Sequence, residues 1–147
     1  MNIRIITDNK KDFLPLLLLG DEQESQIDKY LGRGELFTLY DGGLKSICVV
    51  TDEGNGTLEI QNLATDGRYQ KKGYASSLIE NVAEYYRNRY DRIILGTGDV
   101  PGILAFYNHC GFEQTHRIAN YFAEHYDHPI IEDGILLKDK VYLERKL

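Results

Sequence analysis

Apolar residues recur along this chain with two different periods, and the changes between them mark out its elements. Period-two stretches at residues 3–6, 35–40, 44–51 and 57–65 predict strands. The clearest helical stripe is Ala75, Leu78, Ile79, Val82, Ala83 and Tyr86, spaced i, i+3, i+4, i+7, i+8 and i+11, which predicts an amphipathic helix over 73–89. Near the N-terminus, Asp8 or Asn9 can cap a helix that runs to Leu19 and stops at Gly20. Asp21, three residues before Glu24, resembles a capping box for a second helix that buries Ile27, Tyr30 and Leu31 and ends at Gly32 and Gly34. Asp41-Gly42-Gly43 and Asn55-Gly56 are turn sequences, so strands 35–40, 44–51 and 57–65 should form an antiparallel meander. After helix 73–89, a strand at 92–96 should return parallel to 57–65 through the helical crossover. A short helix over 102–110 ends at Gly111, a strand covers about 112–119, and the chain closes with a strand at 140–145. Residues 120–139 read as a long connection. Without repeats or a linker, residues 1–147 are expected to form a single domain.

Composition adds limits. At 42% hydrophobic and 27% charged residues the chain has ordinary globular balance. Its longest apolar run, residues 14–19, is interrupted by Pro15 and is too short to span a bilayer, and the first residues lack the layout of a signal peptide. Cys48 and Cys110 imply no disulfide framework and read as small buried hydrophobes. These features predict a cytoplasmic protein, a monomer or homodimer, with no membrane partner. The net charge of −6 conceals an asymmetry. Residues 66–92 carry six basic and four acidic side chains, residues 8–41 four and eight, and residues 113–139 two and six. A small basic island in an acidic protein suits a phosphorylated cofactor and argues against a nucleic-acid track, which needs an extended basic face.

The island centres on Gln70-Lys71-Lys72-Gly73-Tyr74-Ala75, between the strand at 57–65 and the helix that follows. The first N–H groups of a helix have no intrahelical partner and point outward, and Gly73 lets an anion approach the backbone without a Cβ in the way. Arg68, Lys71 and Lys72 supply countercharge. Neither a Walker loop nor a Rossmann fingerprint is present. The segment instead resembles the acyl-CoA loop of the GNAT superfamily (Gcn5-related N-acetyltransferases), Gln/Arg-x-x-Gly-x-Gly/Ala. A second stretch, Ala105-Phe106-Tyr107-Asn108-His109-Cys110-Gly111-Phe112-Glu113, is similar to the superfamily's Phe-Tyr-x-x-x-Gly-Phe signature. The resemblance implies an α/β (mixed α+β) fold, a central mixed sheet with helices on both faces, and acetyl-CoA as cosubstrate with no metal. The cofactor contacts it implies are Leu63, Ala64, Thr65, Gln70, Lys71, Lys72, Gly73, Tyr74, Ala75 and Tyr107.

Alternation on the strand at 57–65 places Thr57, Glu59, Gln61, Leu63 and Thr65 on one face and Leu58, Ile60 and Ala64 on the other. A carboxylate and an amide inside a sheet need solvent, a partner or a chemical role. The superfamily resemblance implies such roles, with Glu59 as general base, the N–H of Leu63 as oxyanion donor, and Tyr107 as the acid that protonates the leaving thiolate. Gln61 would orient the acceptor or a water. The structural alternatives are an ion-paired Glu59 and a Tyr107 that merely packs over the cofactor arm. Gly96-Thr97-Gly98-Asp99-Val100-Pro101-Gly102 imitates a dinucleotide loop, but its spacing is wrong, and Asp99 followed by Pro101 reads as an N-cap and first-turn proline. Where many superfamily members have an asparagine that bonds pantetheine, this chain has Val100, with Asp99 as a candidate substitute.

In the long connection, His125, Asp127, His128 and Glu132 lack the spacing of a known metal template, so no metal is expected. Aromatics mixed with acids there suit a wall that attracts a cationic acceptor, with Asp127 and Glu132 as the candidate contacts; an ordinary covering loop is the alternative. The leading functional expectation is acetyl transfer to a primary amine of a small cationic metabolite in a ternary complex. The alternatives are a non-catalytic acyl-CoA sensor, or an enzyme acting on protein N-termini or lysines.

Overall fold

The computed structural model describes all 147 residues. Seven strands form one sheet: β1 (Asn2–Ile6), β2 (Glu35–Tyr40), β3 (Leu44–Gly54), β4 (Thr57–Thr65), β5 (Arg92–Gly98), β6 (Glu113–Ile118) and β9 (Lys140–Lys146), in the order β1-β2-β3-β4-β5-β9-β6. The meander β2–β3–β4 is antiparallel as the turns predict, and β4 and β5 are the one parallel pair. The last strand of the chain slides between β5 and β6, leaving β6 at an edge with all its residues exposed.

Helix α3 (Tyr74–Tyr86) buries Leu78, Ile79, Val82, Ala83 and Tyr86 on one face of the sheet against Phe37, Cys48, Val50 and Ile60, fulfilling the predicted stripe. The Tyr86 hydroxyl, carried into this core, donates to Glu35. On the other face the first helical region packs Leu16, Leu17, Ile27, Tyr30 and Leu31 against Leu36, Ile47, Val49 and Ala64. It is more broken than the sequence predicts. Asn9 is left-handed (φ 53°) and caps nothing, a 3-10 turn covers Lys10–Phe13, and α1 proper is Leu14–Gly20 with Pro15 in its first turn. Pro15 lacks an N–H, so it suits a helix start and not a helix interior. The second helix, α2, is one turn, Glu24–Ile27, and no capping box forms because the Asp21 carboxylate is engaged by two tyrosines. The connection at 120–139 is structured: α5 (Tyr121–His125) and a hairpin of β7 (Ile131–Glu132) and β8 (Ile135–Leu136) occupy it. Helix α4 (Pro101–His109) starts from Val100, not from an Asp99 cap, and Asp99 instead accepts from Arg117 at 3.0 Å.

One irregularity reorganises β4. Val49 faces Asn62 and Val50 faces Ile60, so Gln61 has no residue opposite it and forms a bulge. Leu58 and Ile60 before the bulge, and Leu63 after it, pack on the α3 side, whereas Asn62 and Ala64 turn to the α1 side. Strict alternation therefore fails: Glu59 and Leu63 lie on opposite faces of the sheet. Asn62 Nδ2 donates to the Leu17 carbonyl (2.8 Å) and the Tyr30 hydroxyl (3.1 Å), fastening α1 and α2 to β4, and Gly20 leaves room because a Cβ there would collide with its amide. Replacing Asn62 with Ala should strand both buried acceptors and cost roughly 1–3 kcal/mol. Urea unfolding should show a lower midpoint at an unchanged slope.

Candidate active site

Parallel pairing of β4 with β5 runs from Thr57↔Arg92 to Ile60↔Leu95 and stops. Beyond it, Gly96–Gly98 pair only with β9, and β4 continues alone along that edge. The orientation of the freed backbone follows from the other edge of β4. Asp66 N–H donates to the Lys45 carbonyl (2.9 Å), and the same register pairs Ser46↔Thr65 and Cys48↔Leu63. Bonded pairs alternate in an antiparallel ladder, so Ala64 and Asn62 bond toward β3 while the N–H groups of Leu63 and Thr65 point into the gap. Gln70 Nε2 reaches the Thr65 carbonyl from the same side at 3.4 Å. Ala64 has its side chain buried in the α1 cluster, away from the gap.

The loop after β4 delivers a second set of free donors. Lys71 (φ 62°) and Gly73 (φ 85°) are both left-handed, the conformation for which glycine is suited and β-carbons are penalised. Gly73 is the N-cap of α3 and makes no side-chain cap. The N–H groups of Gly73, Tyr74, Ala75 and Ser76 have no partner in the chain; the first helical bond is Ser77 N–H to the Gly73 carbonyl. The Tyr74 ring turns back to donate to Asp41 (2.7 Å), so its backbone, not its hydroxyl, faces the loop. Lys71 and Lys72 are exposed, while Arg68 is paired with Asp66 (2.9 Å) and is not the free countercharge the sequence suggests.

Tyr107 lies on the α3 side of the gap, its ring edge-on to Phe106 and Phe112 and close to Cys48, which is paired with Leu63. Burial pushes its phenol well above the ordinary value, so it stays protonated, and no side chain or carbonyl bonds its hydroxyl. Both thiols are free and buried, and burial raises Cys48 to about 12. Glu59 is 8% exposed on the opposite face, paired across β3 with Thr51. No donor in the chain bonds its carboxylate. Burial is the main influence raising its pKa and Glu53 adds to it, while Lys140 and Arg33 act against them. Gln61 Nε2 donates to Thr51 Oγ1 (3.1 Å) and leaves its carbonyl available.

A cavity of about 200 Å³ opens on this second face, bounded by Gln61, Gly96–Gly98, the α1–α2 junction, and the segment from Tyr121 to Lys140. Asp21 holds it together, accepting from Tyr126 (2.6 Å) and Tyr30 (3.0 Å). Gln26 Nε2 donating to the His125 carbonyl (2.7 Å) and Asp127 N–H donating to Gln23 (3.0 Å) also tie α5 to α2. Glu132 lines the cavity; burial raises its pKa, and its charged neighbours Glu22 and Asp133 are both acidic. Asp127 does not join it: its side chain is 77% exposed and accepts from His128, which also approaches Glu22 at 3.7 Å. His125 stacks on Tyr121 instead, and no group of three metal-ligating side chains converges. Sequence reasoning missed Asp21, Tyr121 and Lys140 as cavity residues. The available signal was the pair Gly96 and Gly98 inside a strand, a mark of close approach by other groups: Lys140 passes over the first and Leu137 over the second.

A parted parallel strand pair beside a helix with bare N–H groups is an acyl-CoA architecture, and comparison with known proteins agrees. The model of the acetyltransferase (GNAT) family matches residues 8–112, so the chain belongs to that family. It is 33% identical over 146 residues to the uncharacterized N-acetyltransferase YvbK of Bacillus subtilis (strain 168), covering 97% of this chain and 94% of that protein. Among solved structures, a GNAT family acetyltransferase from Elizabethkingia anophelis with acetyl-CoA bound is 32% identical with a TM-score of 0.92, covering 99% of this chain and 97% of that one. A Bacillus subtilis acetyltransferase in complex with CoA is 33% identical with a TM-score of 0.91, covering 99% and 98%. The chain is an N-acetyltransferase, and acetyl-CoA is its cosubstrate.

Acetyl-CoA at a hundredfold excess over its dissociation constant should stabilise the protein by about 2.7 kcal/mol. Gly73→Val should remove most of that stabilisation in a thermal-shift titration, because a β-branched residue resists the left-handed backbone that aims the N–H groups.

Proposed function

We propose that this enzyme transfers the acetyl group directly to the primary amine of a small cationic metabolite, with Glu59 as general base, the Leu63 N–H as oxyanion donor and Tyr107 as general acid. The observation that carries the reading is the unpaired edge of β4: Leu63 presents its N–H in a gap with the Tyr107 phenol on one side, and on the other the face that carries Glu59 and the cavity lined by Gln61. Acetyl-CoA supplies an activated acetyl thioester. The chain's own groups suit it on three counts: four free N–H groups at 73–76, two unpaired lysines beside them, and the backbone of Leu63 and Thr65 open to pair with an extended arm.

The amine must lose a proton before it can attack, since an alkylammonium has a pKa of about 10.4. Glu59, its pKa raised chiefly by burial, is the carboxylate on the acceptor face of β4 that no donor in the chain engages, and it is the base in this reading. It does not touch the gap directly. Leu63 is four positions further along the strand, roughly 13 Å away, so the proton travels through water, with the Gln61 carbonyl between the two positions. As the carbonyl carbon is attacked, negative charge grows on its oxygen, and a fixed backbone N–H stabilises it without reorganising. Tyr107 then gives its proton to the departing sulfur; a phenol held protonated and free of other bonds is suited to that step. The cavity is lined by cations (Lys29, Arg33, Lys140) as well as acids, and the support for a cationic group on the acceptor comes from Glu132, whose charged neighbours Glu22 and Asp133 are both acidic; the cavity volume supports a small molecule.

Glu59→Gln should lower kcat by roughly 10²-fold or more while acetyl-CoA binding persists. Because the folded pKa of Glu59 is raised, wild-type kcat/KM should fall as pH drops through a point above the usual carboxylate value, and the variant should lack that acidic limb. Tyr107→Phe should reduce kcat by a smaller factor. Full activity of Glu59→Gln across the pH range would show that the carboxylate is structural.

The two acids in the connecting segment should separate in steady-state kinetics. Glu132→Lys should raise KM for the acceptor, leave KM for acetyl-CoA nearly unchanged, and weaken the salt sensitivity of kcat/KM. Asp127→Lys should do none of these, as its carboxylate lies outside the cavity. Equal effects from both would mean that only long-range charge matters.

A further inference from the structure

Lys140 opens β9, where register pairs it with Gly98 and Ile118, yet its side chain does not run to solvent. It lies flat across β5. A Cβ on Gly96 would overlap Lys140 Cε and stand 3.0 Å from Cδ, so the lysine occupies the space that the glycine leaves. Its ammonium enters the cavity 4.3 Å from the centroid of Tyr121 and 5.1 Å from that of Tyr142. No carboxylate oxygen lies within 4.0 Å of it, and no carbonyl or hydroxyl accepts from it. Burial disfavours its charged form, and only the more distant Glu59 and Asp21 support it. Each oxygen of Asp21 already accepts from a tyrosine hydroxyl.

A cation brought into a cavity without an ion partner is costly to keep there. Two aromatic faces offset part of that cost. Few arrangements explain why the chain gives up a side chain at Gly96 to place this charge beside the gap. It is not a brace for the sheet, because it bonds nothing. It is not a partner for Glu59, whose carboxylate is likewise left without a donor. Glu59 and Lys140 are instead opposite charges, both unengaged, on the acceptor side of the parted strands.

We propose that the acceptor is a zwitterion of the amino-acid class: Lys140 binds its carboxylate while its ammonium faces the gap and gives its proton toward Glu59. The inference rests on the acetyl-transfer reading above and adds the group that this cavity recognises besides the amine. The cationic character stays with Glu132, which has no cation beside it, so an amino acid with a basic side chain satisfies all three charges. Binding of the carboxylate at Lys140 also fixes the amine's position relative to Leu63, because both ends of a short molecule are then held.

The test compares amines that differ by one carboxylate: L-lysine with cadaverine, and L-ornithine with putrescine. Affinity is measured by calorimetric titration into the CoA-bound protein, and thiol release from acetyl-CoA is followed separately with the same panel. The carboxylate-bearing member of each pair should bind roughly 10- to 100-fold more tightly. That ratio should fall toward one in Lys140→Met, and also in Gly96→Ala, which retains the charge but displaces the side chain that carries it. A wild-type ratio of one or below, a ratio unchanged in both variants, or failure of both amino acids to bind overturns the proposal. Acetylation without a carboxylate preference leaves the transferase reading standing and removes this one. Lys140-dependent binding without acetylation of any amine does the reverse.

Discussion

The proposed chemistry depends on β5 leaving β4 after Leu95. A parallel pair that continued would consume the N–H groups of Leu63 and Thr65 in ordinary ladder bonds. The separation is sustained by β9, which bonds β5 along its whole length from Arg92 to Gly98 and so keeps that strand inside the sheet after it has lost its other neighbour. The two directions of approach follow from it. The Tyr107 ring lies toward one face, Glu59 and the cavity beside Gln61 lie toward the other, and the opening stands between them. A bulge at Gln61 coincides with the point of parting, so the same residue that shifts the register also ends the run in which Glu59 and the later positions would have shared a face.

Helix α3 joins this opening to the stability of the molecule. Its N-terminus offers unpaired donors, which cost little because they are exposed to solvent, and its apolar stripe is the centre of the larger core. The end that carries the free N–H groups is therefore attached to a helix anchored in the larger core, and the left-handed Gly73 is fixed between a buried stripe and a strand. The opposite wall is built differently. It joins two smaller apolar clusters, one under α1 and α2 and one around Val100, Ile130 and Leu137, through polar bonds that converge on Asp21 and on the α2–α5 contacts.

Much of this was legible in the sequence because it is local. The stripe from Ala75 to Tyr86, the meander turns at Asp41-Gly42-Gly43 and Asn55-Gly56, and the two motifs around Gly73 and Gly111 each depend on spacing over a few residues, and each appears where periodicity puts it. What was not legible depends on residues far apart in the chain. Alternation along β4 cannot reveal a bulge whose cause is the register with β3. Asp21 has the spacing of a helix cap, but Tyr30 and Tyr126 take its carboxylate, the latter 105 residues away. Asp127 and Glu132 look equivalent as acids five residues apart in one segment, and only the packing of α5 against α2 separates an exposed carboxylate from a cavity-lining one. The order of strands at the end of the sheet was hidden for the same reason, since nothing in residues 140–146 announces that they will insert beside β5.

Gly96 and Lys140 are bound to one another in heredity as well as in space. A β-carbon at position 96 would force the lysine to shorten, bend away or disappear, whereas loss of the lysine would free the glycine to change. The two positions are sterically coupled, although they sit on different strands and 44 residues apart in the chain. The position of the Lys140 ammonium in the cavity is thus set by the absence of a side chain on a neighbouring strand. A substitution at position 96 would therefore change the electrostatics of the cavity without altering any charged residue.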